Sequence, residues 1–218
     1  MAIYRAFDLN NRAPTVRAVH DGLEISVEEF VSKEKSREVF DADLAAYGVL
    51  ALLVTLVNSG SRDHVIERDA VRAFLDGRPL VRLLAKEAAD MSTAVEFDRR
   101  VRAQDIAYGV LILNPAGVVV FMSHWFHCLG NPDCNLAQER EKRQYAIDYD
   151  RKQIPLRFET MELQQAPVPP GRKTGGFVYF KFPEGSDRPL DKITLVVIGR
   201  DPLSGAETEV RLPLVNAR

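Results

Sequence analysis

Leu23, Ile25 and Val27 alternate with Glu24, Ser26 and Glu28, the two-residue period of a strand with one wet face. Val39, Phe40, Leu44 and Tyr47 follow at roughly helical spacing and predict a short helix or a loop–helix link. In "GVLALLVTLVNSG" the apolar run is continuous and closes on Asn58-Ser59-Gly60, which predicts a buried central strand. Asp76-Gly77 is a strong turn signal between Val71–Leu75 and Pro79–Leu83. From Leu84 the period changes. Leu84, Ala88, Met91 and Val95 recur at steps of four and three among good helix formers, predicting a helix of several turns. Asn131-Pro132-Asp133 opens a second, very polar helix, with an N-cap residue, proline at the first helical position and an acid in the first turn. That helix should stop before Pro155. Beyond it, Leu156, Phe158, Thr160 and Met161 to Leu163 suggest a strand, and "QQAPVPPGRKTGG" an extended, polyproline-like link. "FVYFKF", "KITLVVIG" and "TEVRLPLV" predict three more strands separated by turn residues.

Between the two helices lies "IAYGVLILNPAGVVVFMSHWF", Ile106 to Phe126, within a run that carries no charged residue from Ile106 to Pro132. Its length would suffice for a membrane span, but Asn114-Pro115-Ala116-Gly117 interrupts it near the middle. Each half is too short to cross alone, and the valine-rich second half favours strand. A hairpin turning at Asn114–Gly117 and buried beneath the flanking helices is the first expectation. The alternatives are a broken helix buried against the body or a partner copy, and a segment dipping into a membrane interface with Trp125 and Tyr108 at headgroup depth.

The order of elements predicts an α+β fold: an immunoglobulin-like β-sandwich interrupted by a helix–apolar hairpin–helix insertion. On this reading residues 1–84 and 154–218 form the two parts of the sandwich and residues 85–153 the insertion. A chain of 218 residues can bury its own core, and a net charge of −2 gives no basic field for nucleic acid. Cys128 and Cys134 are too few for a disulfide scaffold, although their closeness allows one local bridge. "MAIYRAFDLNNRAP" has charges where the apolar core of a secretion signal would stand, which favours a cytoplasmic location.

"DGLEISVEEF", "VFDADLAAYGVLALLVTLVNSGSRDHVI", "FLDGRPL" and the late "PPGRKTGGFVYFKFP", where a proline–glycine loop precedes a Gly-Phe-aromatic strand, resemble uncharacterised bacterial envelope lipoproteins. The resemblance covers most of the chain outside the insertion. It implies an immunoglobulin-like sandwich with an inserted apolar or helical region, and a place in the periplasm or at the outer-membrane periphery. It implies no activity. The chain departs from those proteins in having no lipid-attachment cysteine near residue 1.

The most reactive-looking cluster is "MSHWFHC". His124 and His127 stand at i, i+3 with Cys128 adjacent, and with Met122 and Cys134 they could hold a soft metal such as copper or zinc. The spacing fits no standard zinc pattern, so a non-metal reading with no cofactor comes first. Ser32-Lys33-Glu34-Lys35 and Lys173-Thr174-Gly175 echo two elements of penicillin-recognising serine enzymes, but the third is missing and Ser32 opens a charged segment. Ser61, Asp63 and His64 are too close in sequence to form a relay along a strand. The expectation is therefore a non-enzymatic, envelope-associated protein whose insertion mediates partner, self or membrane association through Tyr108, Val119, Phe121, Trp125 and Phe126. A metal-binding or metal-delivery module is the alternative.

Overall fold

The computed structural model describes residues 14–113, 136–182 and 190–214, with the helical backbone alone described for 105–113 and 136–140. Its strands are β1 (Val16–His20), β2 (Leu23–Glu29), β3 (Val49–Asn58), β4 (His64–Ile66), β5 (Val71–Leu75), β6 (Arg78–Pro79), β7 (Arg82–Leu83), β8 (Ala166–Val168), β9 (Lys173–Lys181), β10 (Ile193–Arg200) and β11 (Glu207–Leu214). The helices are α1 (Lys33–Phe40), α2 (Ala85–Met91), α3 (Thr93–Leu113) and α4 (Leu136–Met161).

The strands make two antiparallel sheets. One runs β1-β2-β3-β9-β7; the other runs β6-β5-β10-β4-β8, with β11 paired along β10. Tight turns at Asp21-Gly22 and Asp76-Gly77 join β1 to β2 and β5 to β6, and all four residues have positive φ, as type I′ hairpins require.

Side-chain alternation builds three layers. Leu50, Leu52, Val54 and Leu56 of β3 join Leu23, Ile25 and Val27 of β2, Val178 and Phe180 of β9, and Leu195, Val197, Val210 and Leu212 of the facing sheet in one buried core. Val49, Ala51 and Leu53 point the other way, with Phe177 and Tyr179, into a second core roofed by Ala85, Ala88 and Ala89 of α2 and Ile154 and Phe158 of α4. The continuous apolar run of β3 thus serves two cores at once, whereas β11, wet on one face, alternates buried and exposed throughout. Gly176 lets the chain end of α4 lie on β9: a Cβ there would stand 2.5 Å from Leu163 Cα.

The two-sheet, β-sandwich-like body and its helices match the expected α+β class. Three local expectations are corrected. Residues 106–113, the first limb of the expected hairpin, are the last turns of α3. A helix already nucleated upstream gains one hydrogen bond per added residue, so this short apolar run continues it rather than starting a strand. The polar helix does not stop before Pro155 but runs through it to Met161, and the strand expected over Leu156–Leu163 is mostly its last turns. Burial of Ile154 and Phe158 on either side of the proline offsets the roughly 3 kcal/mol it costs a helix. Finally, the helix expected from Leu84 onward is two, α2 and α3, broken at Ser92, whose hydroxyl turns back to the Ala88 carbonyl.

Candidate functional site

Helices α3 and α4 grow from one root. Phe40, Phe158, Phe177 and Tyr179 form the floor, with ring centroids 4.9 Å apart for Phe40–Phe158 and Phe40–Phe177 and 5.3 Å for Phe158–Tyr179. Thr93, at the start of α3, donates its hydroxyl to the Phe40 carbonyl at 3.1 Å. Phe97 of α3 and Met161 of α4 pack against the same cluster. The two helices therefore leave and re-enter the body at one place with opposite chain sense.

Polar groups lock the base of α3. Glu96, mostly buried, accepts a hydrogen bond from the Tyr47 hydroxyl, and Arg100 and Arg37 lie 3.5 and 3.8 Å from its carboxylate. Arg100 also reaches the side chain and the carbonyl of Asp41, both at 2.7 Å. The Tyr47 hydrogen bond, helped by the nearby arginines and opposed by burial, holds the Glu96 carboxyl below its usual range. The same bond, with burial, raises the Tyr47 phenol.

Arg151 of α4 pairs with Asp98 of α3. From Asp98 to Leu113, and from Arg151 back to Leu136, each helix continues for fifteen residues, about 22 Å. Helix α3 contains the first eight residues of the uncharged segment, and α4 follows it in the chain. On α4, Tyr145, Tyr149 and Leu156 are 74%, 55% and 51% exposed and share one helical face by their spacing of four and seven. Charges of both signs, among them Glu141, Arg143, Asp148, Asp150 and Lys152, surround them.

The residues expected to carry function lie mostly elsewhere in the chain. Val119, Phe121, His124, Trp125, Phe126, His127, Cys128 and Cys134 are outside the described residues, and so is the side chain of Tyr108, whose backbone belongs to α3. Among the described residues no helix is long and apolar enough to cross a membrane, and no group of three or more His, Cys, Asp or Glu is arranged to hold a metal ion.

The residues set aside in the sequence have structural employment. Ser32 caps α1, its hydroxyl accepting from the Lys35 amide at 3.2 Å, while Lys35 reaches Glu29 at 3.2 Å and Glu28 at 3.5 Å. Phe30, near Ser32, bonds Ala51, the partner of Tyr179; Lys173 lies six residues back along β9, about 20 Å away. The Ser-x-x-Lys and Lys-Thr-Gly elements are thus not brought together. His64 is buried in β4 opposite Val168.

Two features were not anticipated from sequence. One is the Tyr47–Glu96–Arg100–Asp41 lock, whose members are up to 59 positions apart. The other is Arg82, a charge inside the apolar string "PLVRLL", which is the one local sign it gave.

No protein-family model matches the chain, and no curated protein matches it. Among solved structures it aligns with a "putative lipoprotein (ycdA)" from Bacillus subtilis at 8% identity and a TM-score of 0.37. The alignment covers 93% of this chain and 39% of that one, so this chain spans about two fifths of that protein, and a superposition this loose carries no argument about function.

Proposed function

We propose that this protein is a non-enzymatic, envelope-associated binding protein, an immunoglobulin-like sandwich whose inserted helices and uncharged segment mediate association. The observation that carries the reading is the helix pair itself, rooted in a buried aromatic floor and presenting Tyr145, Tyr149 and Leu156 of α4 to solvent. Exposed aromatic side chains on a well-anchored helix are the material of protein interfaces. The mixed charges around them favour a protein surface, a second copy being the simplest, over an anionic lipid surface, which selects for a basic face. The envelope location rests on the sequence resemblance.

Light scattering of the eluting protein over a concentration series, with liposome flotation in parallel, tests this. The wild type should self-associate, and Val119→Asp and Tyr145→Ser/Tyr149→Ser should each weaken association by about tenfold or more. Flotation of the wild type alone would transfer the role to a membrane surface. A wild type that stays monomeric and does not float removes the support for association.

A further inference from the structure

Arg82 carries its charge inward. It pairs with Phe180 on β9, and residues opposite one another in an antiparallel pair share a face. Phe180 belongs to the core between the sheets, whereas the next pair, Leu83 and Tyr179, belongs to the helix-side core. The Arg82 side chain therefore enters the edge of the gap between the two sheets. Its Nε, Nη1 and Nη2 are all out of reach of solvent, and none has a hydrogen-bond partner among the described residues.

The surroundings do not resolve this. Glu162, beside Phe177 on the same edge of β9, is engaged by Arg68 at 2.9 Å. Arg68 and Asp69 come from the turn that precedes β5 in the facing sheet. Burial pulls the Arg82 guanidinium below its usual range, only partly countered by Glu162. A guanidinium stays protonated in proteins, so its five N–H donors cannot be removed by titration and need an acceptor. An inward charge on an edge strand can also serve to deter strand addition, but a guard of that kind works while water reaches it. Here water does not reach the head, whereas long cationic side chains normally keep that end in solvent.

We propose that Arg82 is the anchor of a binding site for a small oxyanion, a carboxylate or phosphate group, at the edge of the sandwich. The planar fork of the guanidinium offers two parallel N–H groups to such a group once the side chains that close it off from solvent in this structure move aside. Arg68, whose side chain is 44% exposed, connects the cluster to solvent and supplies a second cation. The site is separate from the helix pair and does not depend on the association reading.

Thermal unfolding and titration calorimetry of the full chain with inorganic phosphate or acetate, at ionic strength fixed with sodium chloride, test the site. The melting temperature of the wild type should rise with one of these anions beyond the chloride control, and Arg82→Met, which keeps the stem, should abolish the rise. Response to phosphate alone assigns a phosphate group; response to acetate, with or without phosphate, assigns a carboxylate. Should Arg82→Met fail to fold, Arg82→Lys, which keeps the charge without the fork, should weaken binding by about tenfold. A wild type indifferent to both anions, or an Arg82 variant that responds as the wild type does, overturns the proposal.

Discussion

Replacing Phe158 by alanine tests the layer in which α4 returns to the body. The ring is 1% exposed and touches Phe40 and Tyr179. Losing the transfer of a buried phenyl group costs about 2–3 kcal/mol. A residual cavity of roughly 80 Å³ at about 24 cal/mol per Å³ adds about 2. The sum, about 4–5 kcal/mol, is a large part of the roughly 5–15 kcal/mol that holds a domain folded. In urea, with a slope of about 2 kcal/mol/M, the midpoint should fall by about 2 M, followed by circular dichroism. Phe40→Ala in a double-mutant cycle should return a coupling of about 0.5–1.5 kcal/mol. Leu156→Ala supplies the contrast. Period-two reading places residues 156 and 158 on one face, but on α4 Leu156 is 51% exposed, and its truncation should cost no more than about 0.5 kcal/mol. A Phe158→Ala loss under about 1 kcal/mol, or equal losses at the two positions, would refute the helical packing argued above.

Two further outcomes follow from other parts of the molecule. Glu96 has a depressed folded-state pKa, so its contribution is present above the unfolded carboxylate range and is lost as pH falls through the folded value. The stability advantage of the wild type over Glu96→Gln should hold from pH 6 to 8 and close below about pH 4.5; an advantage as large at pH 3 as at pH 7 would contradict the lock. Gly22 has φ +79° and a Cβ there would meet Gly60 Cα at 2.5 Å, whereas Gly77, at φ +76°, has open space. Gly77→Ala should cost about 1 kcal/mol for backbone conformation alone, and denaturation of Gly22→Ala should show a clearly larger loss.

Much of the sandwich was legible because its strands obey simple periods. Alternation marked β2 and β11, an unbroken apolar run marked the doubly covered β3, and Asp76-Gly77 marked a hairpin. The local pattern conceals the full length of helix α4 for a physical reason: proline is a strong local breaker, and Leu156, Phe158 and Thr160 alternate by chance. The burial that decides the matter follows a different set, Ile154 and Phe158, four residues apart, packed on rings from distant parts of the chain. The chemistry was less legible still. Arg82 draws its meaning from Phe180, 98 positions away, and Glu96 from Tyr47, and no local spacing encodes either partnership. The cluster at His124, His127 and Cys128 was conspicuous in sequence, but it lies outside the described residues.

Pro155 sits where α4 passes from its exposed stretch to its buried one. Lacking an N–H, it leaves the carbonyl of Arg151, four residues earlier, without its ladder bond, in the same turn whose side chain grips Asp98. The consequence is mechanical. A load applied beyond that turn bends the helix first at the missing bond, where stiffness is least, while Ile154 and Phe158 stay seated. Helix α4 can bend on this fulcrum while the body beneath it stays folded, whereas α3 runs unbroken from Thr93 to Leu113.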